Sequence, residues 1–306
     1  METQPLPGLA AERPADESAP LMRLVGGMVL LQLLASICYP IAKYGLGLIE
    51  PFTFAFYRYL ISSVLLLTMT KLRPQGRPIE KRDWWRLALL GALIIPGNQT
   101  LFLVGQSMTG AGHGAFLFAT TPIWVFILAI IHLKERPAWR RTAGIIIATA
   151  GVLVILYSGM ADVGAHYLLG DLILIGSVAA WGYYTVLGKP LVKKYGALRT
   201  TAYALGLGSA MYFPFGLYFA FNFDYSQANL WAWGSVVYMA VALSAVVYVI
   251  WYWLLKYLDA SRIAVYHNVQ PIIASAVAYF FLGEALSTGF VLGGLVVISG
   301  VLVTEL

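Results

Sequence analysis

The stretch Pro122-Ile-Trp-Val-Phe-Ile-Leu-Ala-Ile-Ile-His-Leu-Lys-Glu135, followed by Gly144 and Gly151, returns as Pro271-Ile-Ile-Ala-Ser-Ala-Val-Ala-Tyr-Phe-Phe-Leu-Gly-Glu284, followed by Gly293 and Gly300. All four landmarks move by the same 149 positions, so the chain holds one unit twice. In each copy a proline lies inside an apolar run, a glutamate closes that run, and a second apolar run carries two glycines seven residues apart. This is the pattern of two membrane helices joined by a short turn. Outward from it, Ala111 and Ala115 match Ala260 and Ala264 at the same shift, and Ser36 through Lys43 matches Gly182 through Lys189 at a shift of 146.

The composition suits such helices: 60% hydrophobic, 11% charged, with a mean hydropathy of +0.76, which is the balance of a membrane-spanning chain. Ten apolar segments can be delimited, at about 22–43, 51–70, 84–106, 112–132, 139–157, 169–188, 198–221, 230–256, 261–283 and 287–305. Most are near the roughly 20 residues that cross a ~30 Å hydrocarbon core. Barrel-type alternation is absent, so the segments are expected as helices. Pro40, Pro96, Pro122, Pro214 and Pro271 fall within them, where neighbouring helices can take up the freed carbonyls. Residues 1–21, rich in Pro, Glu, Ser and Ala, are expected as a disordered cytoplasmic tail. Residues 22–157 form the first copy and 158–306 the second. The run from Met22 to Pro40 is long for a signal peptide and is read as a retained span, and Ile37 excludes lipoprotein cleavage before Cys38. Cys38 is the single cysteine, so no intramolecular disulfide forms.

The net charge of +6 does not point to nucleic acid, because the basic residues are spread over short loops. They point to topology instead. Alternate loops hold Lys71, Arg73, Arg77, Lys81, Arg82 and Arg86, then Lys134, Arg136, Arg140 and Arg141, then Lys189, Lys193, Lys194 and Arg199, then Lys256 and Arg262. With Arg13 and Arg23, eighteen of the twenty basic residues fall on one side, leaving Lys43 and Arg58. Both termini are therefore expected in the cytoplasm. Ten helices divide into five and five, and an odd number per copy inverts one copy relative to the other. The expected fold class is all-α integral membrane, with ten transmembrane helices as two inverted five-helix repeats. Inverted repeats are a construction of secondary transporters, whose similar halves open a central site alternately to each side.

The ten-helix plan, the two Pro-x12-Glu helix ends, the paired glycines of the fifth and tenth helices, and Trp181-Gly182-x6-Lys189 in the sixth resemble the drug/metabolite transporter superfamily, within it the EamA-like permeases. The resemblance runs from about Met22 to Leu306. It implies a bacterial inner-membrane permease, often an exporter of amino acids or related metabolites, with helices near a pseudo-twofold axis lining a central cavity. One departure is that the first copy has Ala35-Ser36 where the second has Trp181-Gly182.

Polar groups at depth are the costly ones in a membrane and mark candidate sites. Asn98, Gln99 and Thr100 come about fourteen to sixteen residues into the third segment, roughly 21–24 Å at ~1.5 Å per residue. Asn98 and Gln99 are candidate substrate ligands, or else amides that join neighbouring helices. His267, Asn268 and Gln270 form the richest polar cluster, beside Tyr266 and just before Pro271. Residues three apart share a helical face, so His267 and Gln270 are expected to point together, and His267 stands where the first copy has Phe118. Trp181, Tyr183 and Tyr184 in the sixth segment, with Tyr248, Trp251 and Tyr252 in the eighth, are deep aromatics that either pack or cage an aromatic or cationic substrate. Trp84, Trp85, Trp139, Trp231 and Trp233 lie at segment ends, as interfacial belts do. Arg58 and Lys43 lie near enough to segment ends to snorkel, with contact to a carboxylate-bearing substrate as the alternative for Arg58. Glu135 and Glu284 are expected to bond adjacent backbone or basic groups.

The candidate substrate-binding set is thus Asn98, Gln99, Trp181, Tyr184, Trp251, Tyr266, His267 and Gln270. His113, His132 and His166 are scattered, so no metal site is expected, and without a Gly-x4-Gly-Lys-Ser/Thr loop no ATP drive or other cofactor is implied. No Asp or Glu falls at the expected midplane, which disfavours carboxylate-based proton coupling. A small-molecule secondary transporter in contact with membrane lipid, as monomer or homodimer, is the leading reading. A nucleotide-sugar or sugar-phosphate exchanger would call for several deep Lys or Arg. An intramembrane enzyme would show clustered carboxylates, a Ser/His pair or a His/Asp metal set, and a purely structural scaffold leaves the deep polar groups unexplained.

Overall fold

Every regular element among the described residues is helical. The computed structural model describes residues 21–73, 77–108, 117–157, 168–270, 272–273 and 288–305. The expectations for the tail, Ala111, His113, Ala115, His166, Pro271 and Glu284 fall outside these residues, as do the side chains of Pro40 and Lys43.

In chain order the elements are α1 (Leu21–Leu46), α2 (Pro51–Leu72), α3 (Trp84–Ala92, Leu93–Thr100 and Leu101–Ser107), α4 (Thr121–Leu133), α5 (Trp139–Tyr157), α6 (Leu168–Tyr195), α7 (Ala197–Asn222), α8 (Leu230–Tyr238, Met239–Val247 and Tyr248–Tyr257), α9 (Ala260–Val265, continued by a 3-10 turn Tyr266–Val269) and α10 (Thr288–Glu305). Six spans are long and apolar enough to cross a bilayer: Leu21–Cys38, Pro51–Leu72, Lys81–Gly105, Leu168–Tyr195, Ala197–Asn222 and Leu230–Tyr257. Shorter apolar helices cover Thr121–Leu133 and Val291–Thr304. The chain is a multi-pass membrane protein.

Local chemistry explains the helix ends. Glu50 caps α2, its carboxylate accepting from Phe52 N at 2.9 Å and Thr53 N at 2.8 Å, with Pro51 in the first turn. Lys134 ends α4 in the left-handed region, at φ 54°.

Three expectations are corrected. The segment expected at 112–132 is not one helix through Pro122: a turn at residues 119–120 interrupts it, and α4 restarts with Pro122 in its first turn, where the missing N–H costs nothing. The third and eighth segments widen midway into π-helix, at Leu93–Thr100 and Met239–Val247. Pro96 interrupts the first of these, but the second has no proline, and the two coincide at the shift of 146 within one residue. Matching placement makes them part of the shared architecture. The sixth segment runs to Tyr195, beyond the expected 188.

Packing follows small residues. α5 and α10 lie antiparallel, Gly144 against Gly300 and Gly151 against Gly293, and a Cβ on either first-copy glycine would come 2.6 to 2.7 Å from the opposing carbonyl oxygen. α2 packs on α7, where the Ser63 and Ser209 hydroxyls meet at 2.8 Å. α3 packs on α6 and α7, α8 on α1 and α2, and α4 on α6 and α9. Trp85, Trp139 and Trp231 are exposed at helix ends, as an interfacial belt requires.

Candidate functional site

The site is built where α1, α2, α3, α6, α8 and α9 meet. The α-helix of α9 tightens into the 3-10 turn Tyr266–Val269, which presents His267 and then Gln270 to the interior. The Gln270 amide nitrogen lies 3.0 Å from His267 Nδ1. With the amide so oriented, Nδ1 accepts and the imidazole proton resides on Nε2. That Nε2 is buried without a hydrogen-bond partner among the described residues.

The imidazole lies beside two indoles that also touch each other. Its centroid is 4.7 Å from the Trp251 ring and 5.9 Å from that of Trp181, the latter meeting it edge-on. Trp181 also meets Tyr184 at 5.6 Å, Tyr248 at 5.6 Å and Trp251 at 5.8 Å, while Tyr184 stacks on Tyr252 at 4.8 Å. Hydrogen bonds fix these rings: Trp251 Nε1 donates to Thr185 Oγ1 at 3.3 Å and the Tyr252 hydroxyl to the Tyr184 carbonyl at 2.9 Å. α6 and α8 therefore bring Trp181, Tyr184 and Trp251 together with His267 and Gln270. Tyr183 instead points outward, its ring against His132.

The other expected ligands are placed differently. Asn98 is closed on α6: its Nδ2 donates to the Ser177 carbonyl at 3.0 Å and to Ser177 Oγ at 3.2 Å, and Ser177 Oγ donates to the Asn98 carbonyl at 2.7 Å. Gln99 accepts from the Tyr59 hydroxyl at 3.1 Å. Asn268 reaches across to Thr149 Oγ1 at 3.4 Å, and Tyr266 packs both against the cluster of Ile145, Ala148 and Val265 and against the main core.

Arg58 does not snorkel. It is 6% exposed and turns inward, Nε donating to Ser244 Oγ at 2.7 Å and the guanidinium lying 4.8 Å over the Tyr59 ring and beside Tyr248. Its helical face is buried, which removes the route to the interface. Gln32 is a residue missed from sequence: it is buried in α1 with both amide atoms unpartnered among the described residues. The available signal was the rarity of an arginine or an amide within an apolar span.

Beneath the site, the basic end of the bundle is tied shut. Glu135 accepts from Lys189 Nζ at 3.0 Å, Ala260 N at 2.9 Å and Ser261 Oγ at 2.7 Å, which joins the ends of α4, α6 and α9. Asp259 adds contacts to Arg141 at 3.0 Å and Lys189 at 3.5 Å. At the opposite end a cleft of about 480 Å³ opens between the α1–α2 and α7–α8 turns, lined in part by Glu50 and Asp224. Ser226 bonds to the Asp224 carboxylate and hold it below the usual aspartate range.

Known proteins share this fold. A solved crystal structure superposes with a TM-score of 0.80, covering 93% of this chain and 98% of its own, at 15% identity, a likeness of fold alone. An uncharacterised transporter from Archaeoglobus fulgidus is 29% identical over 268 residues, covering 86% of this chain and 90% of its own. A probable terminal-alkyne amino-acid exporter from Streptantibioticus cattleyicolor is 27% identical over 282 residues, covering 92% and 93%. The profile of the EamA-like transporter family matches residues 23–157 and again 168–306. With two such matches over nearly the whole length of a multi-pass helical chain, this protein belongs to the EamA-like transporter family of the drug/metabolite transporter superfamily.

Proposed function

We propose that the chain is a secondary permease that moves small metabolites, amino acids first among them, across a bacterial inner membrane by alternating access. In this reading α1–α5 and α6–α10 are inverted halves, both termini are cytoplasmic, and the basic end is the cytoplasmic end. The observation that carries it is the convergence of unpartnered polar atoms and aromatic rings inside a membrane protein of a transporter family: His267 Nε2 and the Gln32 amide have no partner among the described residues, and two indoles lie beside the imidazole. Groups buried without partners are costly unless a ligand meets them. The rings supply stacking and cation–π surface, and discontinuous helices such as α9 are where transporters place binding sites. The antiparallel α5–α10 seam and the matched π-helical stretches support the inverted halves. The relative named as an amino-acid exporter supports the substrate class.

The test is counterflow uptake into proteoliposomes with a panel of radiolabelled amino acids. The wild type is expected to exchange one group of them. His267→Ala and Gln270→Ala should each lower uptake about tenfold, the worth of roughly 1.4 kcal/mol in one buried hydrogen bond. A wild type that exchanges no amino acid, with or without an imposed pH gradient, removes the substrate class; folded variants that transport normally remove the site.

A further inference from the structure

Arg58 is a buried cation whose counter-ion is not in the described chain. It is the eighth residue of α2, roughly 10 Å in from the helix start at ~1.5 Å per residue. The groups that face it are Ser244 Oγ, the Tyr59 ring and the Tyr248 hydroxyl, all neutral. A guanidinium has five N–H donors and stays protonated in proteins, so this environment neither balances its charge nor fills its donors. The inward-turning lysine of α6 has a different situation: Lys189 is matched by Glu135 and Asp259. Intramembrane cations without such a match are rare and mark ligand sites.

Resting on the permease reading above, we infer that Arg58 receives the carboxylate of the transported molecule, and that the substrate is a monocarboxylate with an apolar or aromatic body. The planar fork of arginine fits a carboxylate in two parallel hydrogen bonds. A single cation balances one negative charge, whereas a phosphate dianion would call for a second, and the buried lysine of α6, Lys189, is already paired. Tyr248 connects the anionic end to the aromatic end: it lies beside Arg58, and its ring is 5.6 Å from that of Trp181, which in turn meets His267. On α1, packed against the π-helical stretch that carries Ser244, the Gln32 amide is a second buried group awaiting a partner. The residue matching Arg58 at the shift of 146 is Ala204, so the fork occurs on one side of the site only.

The experiment is ligand-induced thermal stabilisation of the full-length protein in detergent, since a ligand that binds the folded state raises its melting temperature. The probes are L-phenylalanine, 3-phenylpropionate, phenethylamine, L-phenylalanine amide and phenyl phosphate. The two carboxylates are expected to stabilise, and the amine, the amide and the phosphate are not. Arg58→Gln should abolish the carboxylate shift. Arg58→Lys, which keeps the charge and supports the inference if the glutamine variant does not fold, should keep the preference with an apparent affinity about tenfold weaker. Stabilisation by the amine or amide equal to that by the acids, a preference for phenyl phosphate, no shift with any carboxylate, or an unchanged shift in the variants overturns the inference. Phenylpropionate binding that depends on Arg58, in a protein that exchanges no amino acid in counterflow, leaves this inference standing and removes the amino-acid reading; amino-acid exchange indifferent to Arg58→Gln does the reverse.

Discussion

Glu80 lies among three basic side chains, accepting from Lys194 at 2.7 Å, Arg82 at 2.8 Å and Arg77 at 3.0 Å. The Lys194 hydrogen bond is the main reason its carboxyl is held below the ordinary glutamate value of 4.5, with Arg82 adding to it. A carboxylate with a depressed folded-state pKa contributes stability that is present above the ordinary value and lost as pH falls through the lower folded one. Glu80→Gln should therefore lower the melting temperature near neutral pH, with the gap to wild type closing on acidification below 4.5. A gap that widens in acid would show that the charge is not what stabilises this corner. Within the membrane the same question of partners separates Asn98 from Arg58. Both were visible in the sequence as polar residues in apolar runs, yet Asn98 is closed by Ser177, seventy-nine positions away, while Arg58 meets only neutral groups. Depth is legible from spacing along one helix; satisfaction depends on a second helix, which one-dimensional periodicity does not align.

Elements were legible where an unbroken apolar run met charged ends, as in α2, α5 and α7, whose bounds fall within a few residues of those expected. The π-helical stretches and the break before Pro122 were not, because hydropathy is the same for an α-turn, a π-turn and a proline at a helix start. Glu135 was readable as a repeated helix end, and the structure gives that repetition a physical content: its carboxylate binds the first backbone N–H of α9 and the Lys189 ammonium together. Both side chains are 9% exposed, so screening by solvent is slight. Removing one partner of such a buried pair leaves the other uncompensated, at about 3 kcal/mol. Glu135→Leu and Lys189→Met should each destabilise the detergent-solubilised protein by about that amount, and the double variant by clearly less than their sum. Simple additivity in that cycle would mean that α4, α6 and α9 are not held by this pair.

At the scale of the molecule, a repeated frame carries a candidate site that does not repeat. The frame repeats at shifts of 146 and 149: Ser63 meets Ser209, the π-helical stretches coincide, and the glycines of α5 face those of α10. The furnishing does not repeat, since Arg58 matches Ala204, His267 matches Phe118, and Trp181 matches Ala35. The frame could be read early because repetition is a property of the sequence itself, whereas the site arises from the convergence of residues that the repeat leaves unmatched. If the halves are joined by backbone approach at α5 and α10, then space there is the controlling variable. A side chain on Gly151 would meet the Gly293 carbonyl and Val297 N, both backbone atoms that cannot rotate away, while one on Gly26 would meet nothing within 4 Å. Gly151→Leu should cost about 3 kcal/mol or more, the upper range of overpacking, and Gly26→Leu should change stability little. Thermal unfolding of the two variants in the same detergent decides between them. Equal melting temperatures would mean that the seam yields to added bulk, and that the two halves are held together elsewhere, along α2 and α7.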